Sequence, residues 1–385
     1  MAKAREKSKT FQSPRGTHDI LPEEQRLWDK VRESIRVLSN FYGFERIDTP
    51  HFEDTDLFYV GTGRTTDIVT KQMYSFKTRG GDQLTLRPEG TPPIARAYVE
   101  HGMANLPQPV KLYYIGSFFR HESPQRGRFR EFRQWGLELI GDEGAVADAQ
   151  VIQVYSLFLQ EWGIKDAVVE INSVGCQACR PSYRAQLTQY YRSRVRGLCR
   201  DCKERFRDNP LRLLDCGEEK CVTVKKNAPQ LLDRLCEPCR NHFKLVLEFL
   251  DEMKIPYALN PHLVRGLDYY TRTVFETFVE GPSEASKTSP ASSGDGAPPP
   301  QAAEDPPAKL PPKKLAVVSG GRYDDLVALI GGKPTPAVGA AMGLERLLMV
   351  IKERRARLPE TPKPKVFLVQ LGDLAKKKSF RIMEE

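Results

Sequence analysis

Apolar side chains recur at helical spacing near the start of the chain. Over residues 23–42 they fall at Leu27, Val31, Ile35, Leu38 and Phe41. Because an α-helix turns once in about 3.6 residues, these positions share one face. The pattern predicts an amphipathic helix here, and a second helix is predicted over residues 145–162.

Short apolar runs bounded by Gly and Pro predict β-strands. They lie at residues 84–89, 110–120, 133–140, 167–172, 257–261, 273–279 and 315–319. Residues 339–352 predict a strand or turn that runs into a helix, whereas residues 61–67 and 123–128 are predicted to be loops. Together the runs predict an α+β fold, in which a mainly antiparallel β-sheet is flanked by helices.

Changes in composition predict the domain organisation. Residues 1–18 form a basic lead, and residues 175–255 form an Arg-rich, mostly helical insertion that contains all eight cysteines. Residues 281–314 are rich in Pro, Ala, Ser and Gly and have no apolar period, so we expect disorder there. The core would comprise residues 19–174 and 256–358, followed by a linker at 359–364 and a new strand and helix at 365–385.

The charge balance favours a polyanionic partner. The chain has 59 Lys+Arg against 50 Asp+Glu, a formal net charge of +9, and neutralising phosphates releases their condensed counterions. Many soluble proteins are mildly basic, so the charge alone decides little. No run of about 18 apolar residues is present, and the basic N-terminus lacks the apolar stretch of a signal peptide. We therefore expect a cytoplasmic protein.

The cysteines fall in four close pairs, namely Cys176/Cys179, Cys199/Cys202, Cys216/Cys221 and Cys236/Cys239. A disulfide framework is not expected in a reducing cytosol, which leaves metal binding or plain reduced thiols. The second and third pairs have the spacing of a zinc ribbon and predict a structural zinc site. The first and fourth pairs could form another site, although the spacing also permits other pairings.

Four segments concentrate Arg, Glu, Gly and Tyr where a packed core would carry Val and Leu. They are residues 86–91, 119–138, 265–273 and 339–346. A Phe-Arg-x-Glu strand, a basic loop, a returning strand and a later Gly-x-Glu-Arg at a helix start resemble the signature motifs of class II aminoacyl-tRNA synthetases. Residues 41–50 resemble the first, dimer-forming motif of that class.

The segment 265–272, with Glu89-Gly90-Thr91, resembles the histidine-specific motifs of histidyl-tRNA synthetases. Residues 14–19 resemble the opening of that family. The resemblance extends over residues 11 to 385 apart from the Pro-rich insert. It implies a class II catalytic core and a C-terminally truncated chain, in which residues 365–385 begin an incomplete anticodon-binding domain.

The resemblance implies a histidine–tRNA ligase that uses ATP, with Mg²⁺, to activate L-histidine and then charges tRNA(His) as a homodimer. The attacking carboxylate is already ionised at neutral pH, so no general base is needed. The site must instead hold two anions together and neutralise charge on a phosphoryl group. Arginine suits this task because its planar, permanently charged fork binds phosphate oxygens in pairs.

The resemblance also assigns roles to single residues. Arg120 and Arg265 are the expected catalytic residues, gripping the α-phosphate from two sides, and ATP is expected to contact Arg120, Glu122, Arg128 and Arg346. The expected histidine pocket is Glu89, Gly90, Thr91, Arg120, Gln134, Glu138, Arg265, Tyr269 and Tyr270. Candidates for the tRNA acceptor end are Gln125, Arg126 and Arg130. One departure is Ser319, which precedes the Gly-Gly-Arg-Tyr-Asp run at a position that is usually glycine.

Two other function classes fit parts of the sequence. A synthetase-like regulatory subunit of histidine biosynthesis would share the core and bind histidine without activating it, yet it has no evident use for three arginines directed at a nucleotide. A zinc-dependent RNA-binding protein would account for the cysteines and the charge and would leave the motifs unexplained. Histidine-dependent ATP–pyrophosphate exchange distinguishes the enzyme from both.

Overall fold

The structure, a computed structural model, describes residues 11–124, 127–280 and 314–354, together with Val369 and Leu371. The predictions for the lead before residue 11, for the Pro-rich insert up to residue 313, for the linker at 359–364 and for most of the segment 365–385 lie outside the described residues. The same holds for Gln125 and Arg126.

Helices and short strands alternate along the described chain. The helices are α1 Pro22–Phe41, α2 Thr55–Phe58, α3 Thr91–Glu100, α4 Ala145–Glu161, α5 Arg180–Arg192, α6 Arg200–Asp208, α7 Glu219–Lys225, α8 Glu237–Glu252, α9 Leu326–Leu329 and α10 Leu344–Glu353. The strands are β1 Glu45–Arg46, β2 Phe52–Asp54, β3 Tyr74–Lys77, β4 Gln83–Leu86, β5 Val110–Phe119, β6 Glu131–Ile140, β7 Val168–Ser173, β8 Tyr257–Leu259, β9 Thr271–Glu280, β10 Lys314–Arg322 and β11 Ala337–Gly343.

The central sheet has eight strands in the order β1-β5-β6-β11-β10-β9-β7-β8. Its inner pairs are antiparallel, and the edge strands β1 and β8 pair in parallel. A smaller antiparallel sheet has the order β2-β4-β3. The predicted α+β class with a mainly antiparallel sheet is therefore confirmed.

Helix α1 uses the face that its periodicity predicts. Leu27, Val31 and Ile35 are buried, whereas Phe41, the last helical residue, is 81% exposed. Helix α4 is buried almost throughout because it lies between α1, α8 and the sheet. Its Tyr155 hydroxyl donates to a carbonyl of β11, which fixes the helix on the sheet.

A buried ion pair joins the end of β10 to α4. The Arg322 guanidinium donates to the carboxylate of Asp148, which His242 of α8 also contacts at 3.3 Å. Burial alone would raise the pKa of Asp148, but the positive charge of Arg322 and the contact with His242 more than offset it and lower that pKa. The carboxylate is therefore held ionised, and breaking one partner of such a pair is strongly destabilising.

Helix α3 was not predicted from the sequence, and the segment 61–67 differs from its prediction as a loop. The helix begins at Thr91, with Pro92 and Pro93 in its first turn, where a proline costs no hydrogen bond. Residues 59–63 and 68–72, which overlap or flank the segment 61–67, form wide helical turns, whereas no helical structure was predicted there. Threonine hydroxyls there bond back to main-chain carbonyls, which is typical of Thr.

Helices α5 to α8 of the insertion pack around their own small core, which includes cysteines of both groups. No helix in the described ranges is long and apolar enough to cross a membrane.

Candidate active site

A cavity of about 480 Å³ lies over the centre of the large sheet, between strands of the core and the insertion. It brings together residues from distant parts of the sequence. Of the predicted site residues, those that line it are Glu89, Gly90, Thr91, Arg120, Glu122, Arg128, Gln134, Arg265, Tyr269, Tyr270 and Arg346. The resulting wall combines arginines, carboxylates and tyrosines, which suits a polar, anionic ligand.

Arg265 lies in the loop before β9. Its guanidinium forms an ion pair with Glu276 of β9 and lies 5.8 Å from the centre of the Tyr270 ring. Within the described residues its Nε atom is buried without a hydrogen-bond partner. Because a buried donor without an acceptor is costly, this atom is suited to an oxygen of a bound ligand.

Arg120 follows β5 directly. Its Nε donates to the Pro88 carbonyl at 2.8 Å, and the guanidinium lies 5.3 Å from the ring centre of Phe132 on β6. Pairing of Phe118 with Phe132 across the two strands provides this platform. These contacts leave the terminal nitrogens directed at the cavity edge near Glu122, 4.0 Å away.

Arg346 enters from the first turn of α10. Its Nε donates to the Gly127 carbonyl at 3.0 Å and its Nη1 to the Ala316 carbonyl at 2.8 Å. Burial, together with the positive charge of Arg128, lowers the pKa of Arg346. A guanidinium nevertheless stays charged at neutral pH, so positive charge is concentrated at this end of the cavity.

The opposite end carries buried carboxylates. Glu89 accepts hydrogen bonds from the hydroxyls of Thr62 (2.5 Å) and Tyr269 (2.7 Å). It is 5% exposed, and burial raises its pKa despite these bonds. The cavity thus has an acceptor end and a cationic end.

Glu138 of β6 stands one layer behind the cavity wall. It is fully buried and accepts hydrogen bonds from Thr91 at 2.7 Å and from the Tyr323 hydroxyl. Burial raises its pKa from 4.5 to about 8, with Glu89 contributing in the same direction. In the structure Glu138 therefore holds the side chain of Thr91, which faces the cavity.

Two glycines make room for a tyrosine in the cavity wall. The ring of Tyr114 lies so close to Gly90 and Gly136 that an added Cβ would come within 2.4 Å and 2.0 Å of it. A larger residue at either position would clash with the ring, which lines the cavity. This packing explains a glycine after Glu89 and another between Gln134 and Glu138.

Comparison with known proteins identifies the family. A family model described as histidyl-tRNA synthetase matches residues 16–287. The histidine–tRNA ligase of Dehalococcoides mccartyi is 45% identical over 365 residues, which span 95% of this chain and 80% of that protein. The chain belongs to the histidyl-tRNA synthetase family. The ligase of Acetivibrio thermocellus is 44% identical, over 94% of this chain and 80% of its own length.

Solved structures agree with this membership. The crystal structure of apo Staphylococcus aureus histidyl-tRNA synthetase matches with a TM-score of 0.75 and 33% identity, over 97% of this chain and 82% of that one. An ATP phosphoribosyltransferase regulatory subunit/histidyl-tRNA synthetase from Bacillus halodurans matches with a TM-score of 0.58 and 23% identity, over 90% and 84%. The second likeness concerns the fold alone.

Several residues of this synthetase cavity do not belong to the predicted set. They are Asp67, Tyr114, Arg212, Asp215, Glu276 and Glu345. Arg212 and Asp215 come from the insertion, and no local pattern indicates that they reach the active site. Glu345 lies in the Gly-x-Glu-Arg motif and accepts two bonds from the Arg133 amide at 2.9 Å. Burial raises the pKa of Glu345 to about 7.

Arg130 and two residues of the motif segments 86–91 and 265–273 lie outside the cavity lining. Arg130, predicted near the tRNA, donates to the Glu122 carbonyl at 3.3 Å and packs on Gly16. Arg87 is buried against main-chain carbonyls. Asp268 packs on Gly63 beneath the cavity wall.

Each group of four cysteines gathers its sulfurs in one place. One group is Cys176, Cys179, Cys236 and Cys239, the other is Cys199, Cys202, Cys216 and Cys221, and the sulfurs of each lie within 4.8 Å of one another. All eight cysteines are free of disulfides, and a disulfide would need sulfurs about 2.0 Å apart. Each group could therefore hold a metal ion, with the pairing that the spacing had suggested.

The raised pKa of Glu138 leads to a first prediction. Between about pH 4.5 and 8 the unfolded chain releases this proton while the folded chain keeps it, so its contribution to stability falls as pH rises. Glu138→Gln removes the titration. The free energy of unfolding of the variant should rise relative to that of the parent chain by about 1 kcal/mol per pH unit across that window. Urea unfolding at pH 5.5, 6.5 and 7.5 measures this, and a pH-independent difference would contradict it.

Proposed function

We propose that this protein is a histidine–tRNA ligase acting in two steps. In the first, a carboxylate oxygen of L-histidine attacks the α-phosphorus of ATP, the bond to the bridging oxygen of the β-phosphate breaks, and pyrophosphate leaves. In the second, a ribose hydroxyl at the 3′ end of tRNA(His) attacks the carbonyl carbon of histidyl-adenylate. The C–O bond to AMP breaks, and AMP leaves.

The observation that carries this proposal is the polarity of the cavity. One end has the buried carboxylate of Glu89, partnered by hydroxyls that can turn, and the other has a set of guanidinium groups. An α-ammonium group and an imidazole suit the first end, and phosphates suit the second. The reacting carboxylate and the α-phosphate would then meet between them, near Arg120 and Arg265.

The arginines take distinct roles in activation. Arg265 and Arg120 neutralise the α-phosphate from two sides as negative charge shifts on it, and Arg346, with Arg128 and Glu122 beside it, holds the outer phosphates and their surroundings. Both catalytic arginines are fixed by neighbouring groups before any ligand binds. Such preorganised charge stabilises a transition state without reorganisation cost. Mg²⁺ is expected to accompany the phosphates and to offset part of their charge.

Histidine is recognised at the end of the cavity that contains the buried Glu89 carboxylate. Glu89 and Gln134 supply acceptors for the ammonium group and for the imidazole N–H, with Gly90 giving close approach. Tyr269 and Tyr270 enclose the imidazole, and Glu138 acts through Thr91. For the second step, the loop at 123–128 and Arg130 contact the acceptor end of tRNA(His). A cytoplasmic location suits both this reaction and eight cysteines without disulfides.

Structural zinc is proposed for both cysteine groups. Four sulfurs bound tetrahedrally at about 2.3 Å from zinc lie about 3.8 Å from one another. The sulfurs of Cys176 and Cys236 lie 3.8 Å apart in one group, and those of Cys199 and Cys216 lie 3.9 Å apart in the other. Backbone amides also donate to sulfur, as from Cys202 to Cys199 at 3.3 Å, and such bonds support a thiolate ligand set.

Histidine-dependent exchange of pyrophosphate into ATP tests the proposed activity. The purified chain should incorporate labelled pyrophosphate only when L-histidine is present, because exchange requires reversible formation of histidyl-adenylate. A regulatory subunit that binds histidine without activating it would show binding and no exchange. Exchange without histidine, or with other amino acids at equal rates, would contradict the assignment.

The second prediction is a homodimer built through the first motif at residues 41–50. Phe41, which ends α1, is 81% exposed, and an aromatic side chain so placed suits a subunit interface. Light scattering at micromolar concentration should give the mass of two chains. Phe41→Asp should shift the protein towards monomer, whereas Leu329→Asp, on the 54% exposed side chain of α9, should not. A monomeric parent chain would overturn the prediction.

A further inference from the structure

The segment between two of the clustered cysteines forms part of the cavity wall. After Cys202, helix α6 ends and residues Pro210–Asp215 form a short 3₁₀ helix that leads directly into Cys216. Arg212 and Asp215 of this helix line the active-site cavity. The second cysteine group therefore lies at the two ends of a segment that touches the site.

This segment holds the loop that carries Thr62. The buried Arg212 donates to the Thr65 carbonyl and pairs with Asp67 at 3.1 Å. Arg205 of α6 pairs with the same carboxylate at 2.5 Å. Two cations from the insertion thus fix one loop of the catalytic core.

The segment also holds the loop that carries Tyr269. Asn209 donates to the carboxylate of Asp268 at 3.2 Å, and the Asp268 amide donates to the Thr62 carbonyl at 3.1 Å. Thr62 and Tyr269 are the two hydrogen-bond partners of Glu89. A continuous set of contacts therefore leads from the cysteines to the buried carboxylate at the histidine end of the cavity.

The segment has little means of holding this position by itself. A single short turn of helix is not stable alone, and the small core beneath it is built partly from Cys202, Cys216 and Cys221. Without a metal, burying four sulfurs together gives only weak interactions. A tetrahedral ion would cross-link the start of α6, the end of the 3₁₀ helix and α7 into one rigid unit.

We propose that a Zn²⁺ ion held by Cys199, Cys202, Cys216 and Cys221 is a positioning centre for the histidine end of the active site. It fixes residues 209–216, which in turn hold the loops of Thr62 and Tyr269 around Glu89. The proposal rests on the proposed function of this site and goes beyond it, because it makes histidine affinity depend on a metal centre in the insertion.

Three variants separate this role from simple stabilisation. Cys216→Ser removes a ligand. The double variant Asn209→Ala/Arg212→Ala keeps all eight cysteines and removes the contacts between segment and loops. Arg207→Ala, an exposed residue of the same helix α6, is the matched control. For each, bound zinc per chain is measured after dialysis, together with kcat and the KM values for histidine and ATP in pyrophosphate exchange.

The parent chain and the control should bind two zinc ions and share one KM for histidine. Cys216→Ser should bind one, and its KM for histidine should rise roughly 10–100-fold, as for other groups that orient a site from outside it, with a much smaller change in the KM for ATP. The double variant should keep two zinc ions and show a similar rise. Combining all three substitutions should give no further rise, because they act through one set of contacts.

Several outcomes would overturn the proposal. These are a double variant with the parent KM for histidine, additive effects in the combined variant, or a folded parent chain without zinc. If Cys216→Ser does not fold, the double variant decides alone. If the parent chain shows no exchange, the proposed activity fails, and calorimetric titration of histidine into the parent chain and the double variant still tests the positioning role.

Discussion

Arg265→Ala is expected to slow formation of histidyl-adenylate by about 10²–10³-fold, the usual effect of removing one preorganised donor from a site of developing charge. The dissociation constant of histidine should change far less. Arg265 is held by Glu276 and lies over the ring of Tyr270, and its Nε atom has no protein partner among the described residues. The Nε atom of Arg265 can therefore donate a hydrogen bond to an oxygen of a bound ligand. Single-turnover quenched flow measures the step, and calorimetry measures histidine binding.

Controls separate this effect from damage to the fold. Loss of Arg265 leaves Glu276 without its ion-pair partner, so thermal unfolding of the variant must be measured as well. Arg265→Lys keeps the charge and loses the planar fork, and it should fall between the parent chain and Arg265→Ala. Arg36→Ala, which breaks only an exposed pair on α1, should activate histidine at the parent rate. Single-turnover activation near the parent rate in Arg265→Ala would show that the assigned role is wrong.

The fold class and most secondary elements follow from the sequence because periodicity and turn residues are local signals. Strands β5 and β6 and helices α1 and α4 are within a few residues of their predicted bounds. Helix α3 was not predicted; Pro92 and Pro93 lie in its first turn, where a helix tolerates proline, although proline is also a common turn residue. Local sequence signals therefore fail where one residue type, such as proline, is common both in turns and in the first turn of a helix.

Among the cavity residues, too, some could be predicted from local sequence signals and others could not. Arg120, Arg265 and Arg346 belong to motifs that resemble those of the family. The resemblance therefore assigned them to the site, and all three line the cavity. Arg212 and Asp215 were not predictable, because their place in the wall depends on how the insertion docks and not on any nearby pattern. Glu138 shares a strand face with Gln134, which lines the cavity, but Thr91 and Tyr323 cover Glu138. The alternation of side chains along a strand predicts which face of the sheet a residue lies on, but not whether other side chains cover that residue.

The largest effect we expect is discrimination against a side chain that fills the pocket without ring nitrogens. In pyrophosphate exchange, kcat/KM for histidine should exceed that for 2-thienylalanine by roughly 10⁴–10⁵-fold, because a pocket built to hydrogen-bond its substrate leaves buried polar groups unpaired with an analogue that lacks them. Glu89 and Tyr269 are 5% and 4% exposed, so water cannot readily replace the missing partners. A hydrophobic pocket would give a far smaller ratio.

With such discrimination at the binding step, a separate hydrolytic site is unnecessary, and we expect this chain not to hydrolyse mischarged tRNA. Deacylation of phenylalanyl-tRNA(His) should proceed at the same rate with and without the protein. Thr62→Val offers a matched change, because it removes one hydroxyl from Glu89 while keeping the side-chain volume. It should lower the ratio between histidine and the analogue, since part of the acceptor end is then no longer organised for a polar ring. A ratio near 10² in the parent chain, the value for a pocket that senses shape alone, would show that the buried carboxylates do not read the ring nitrogens.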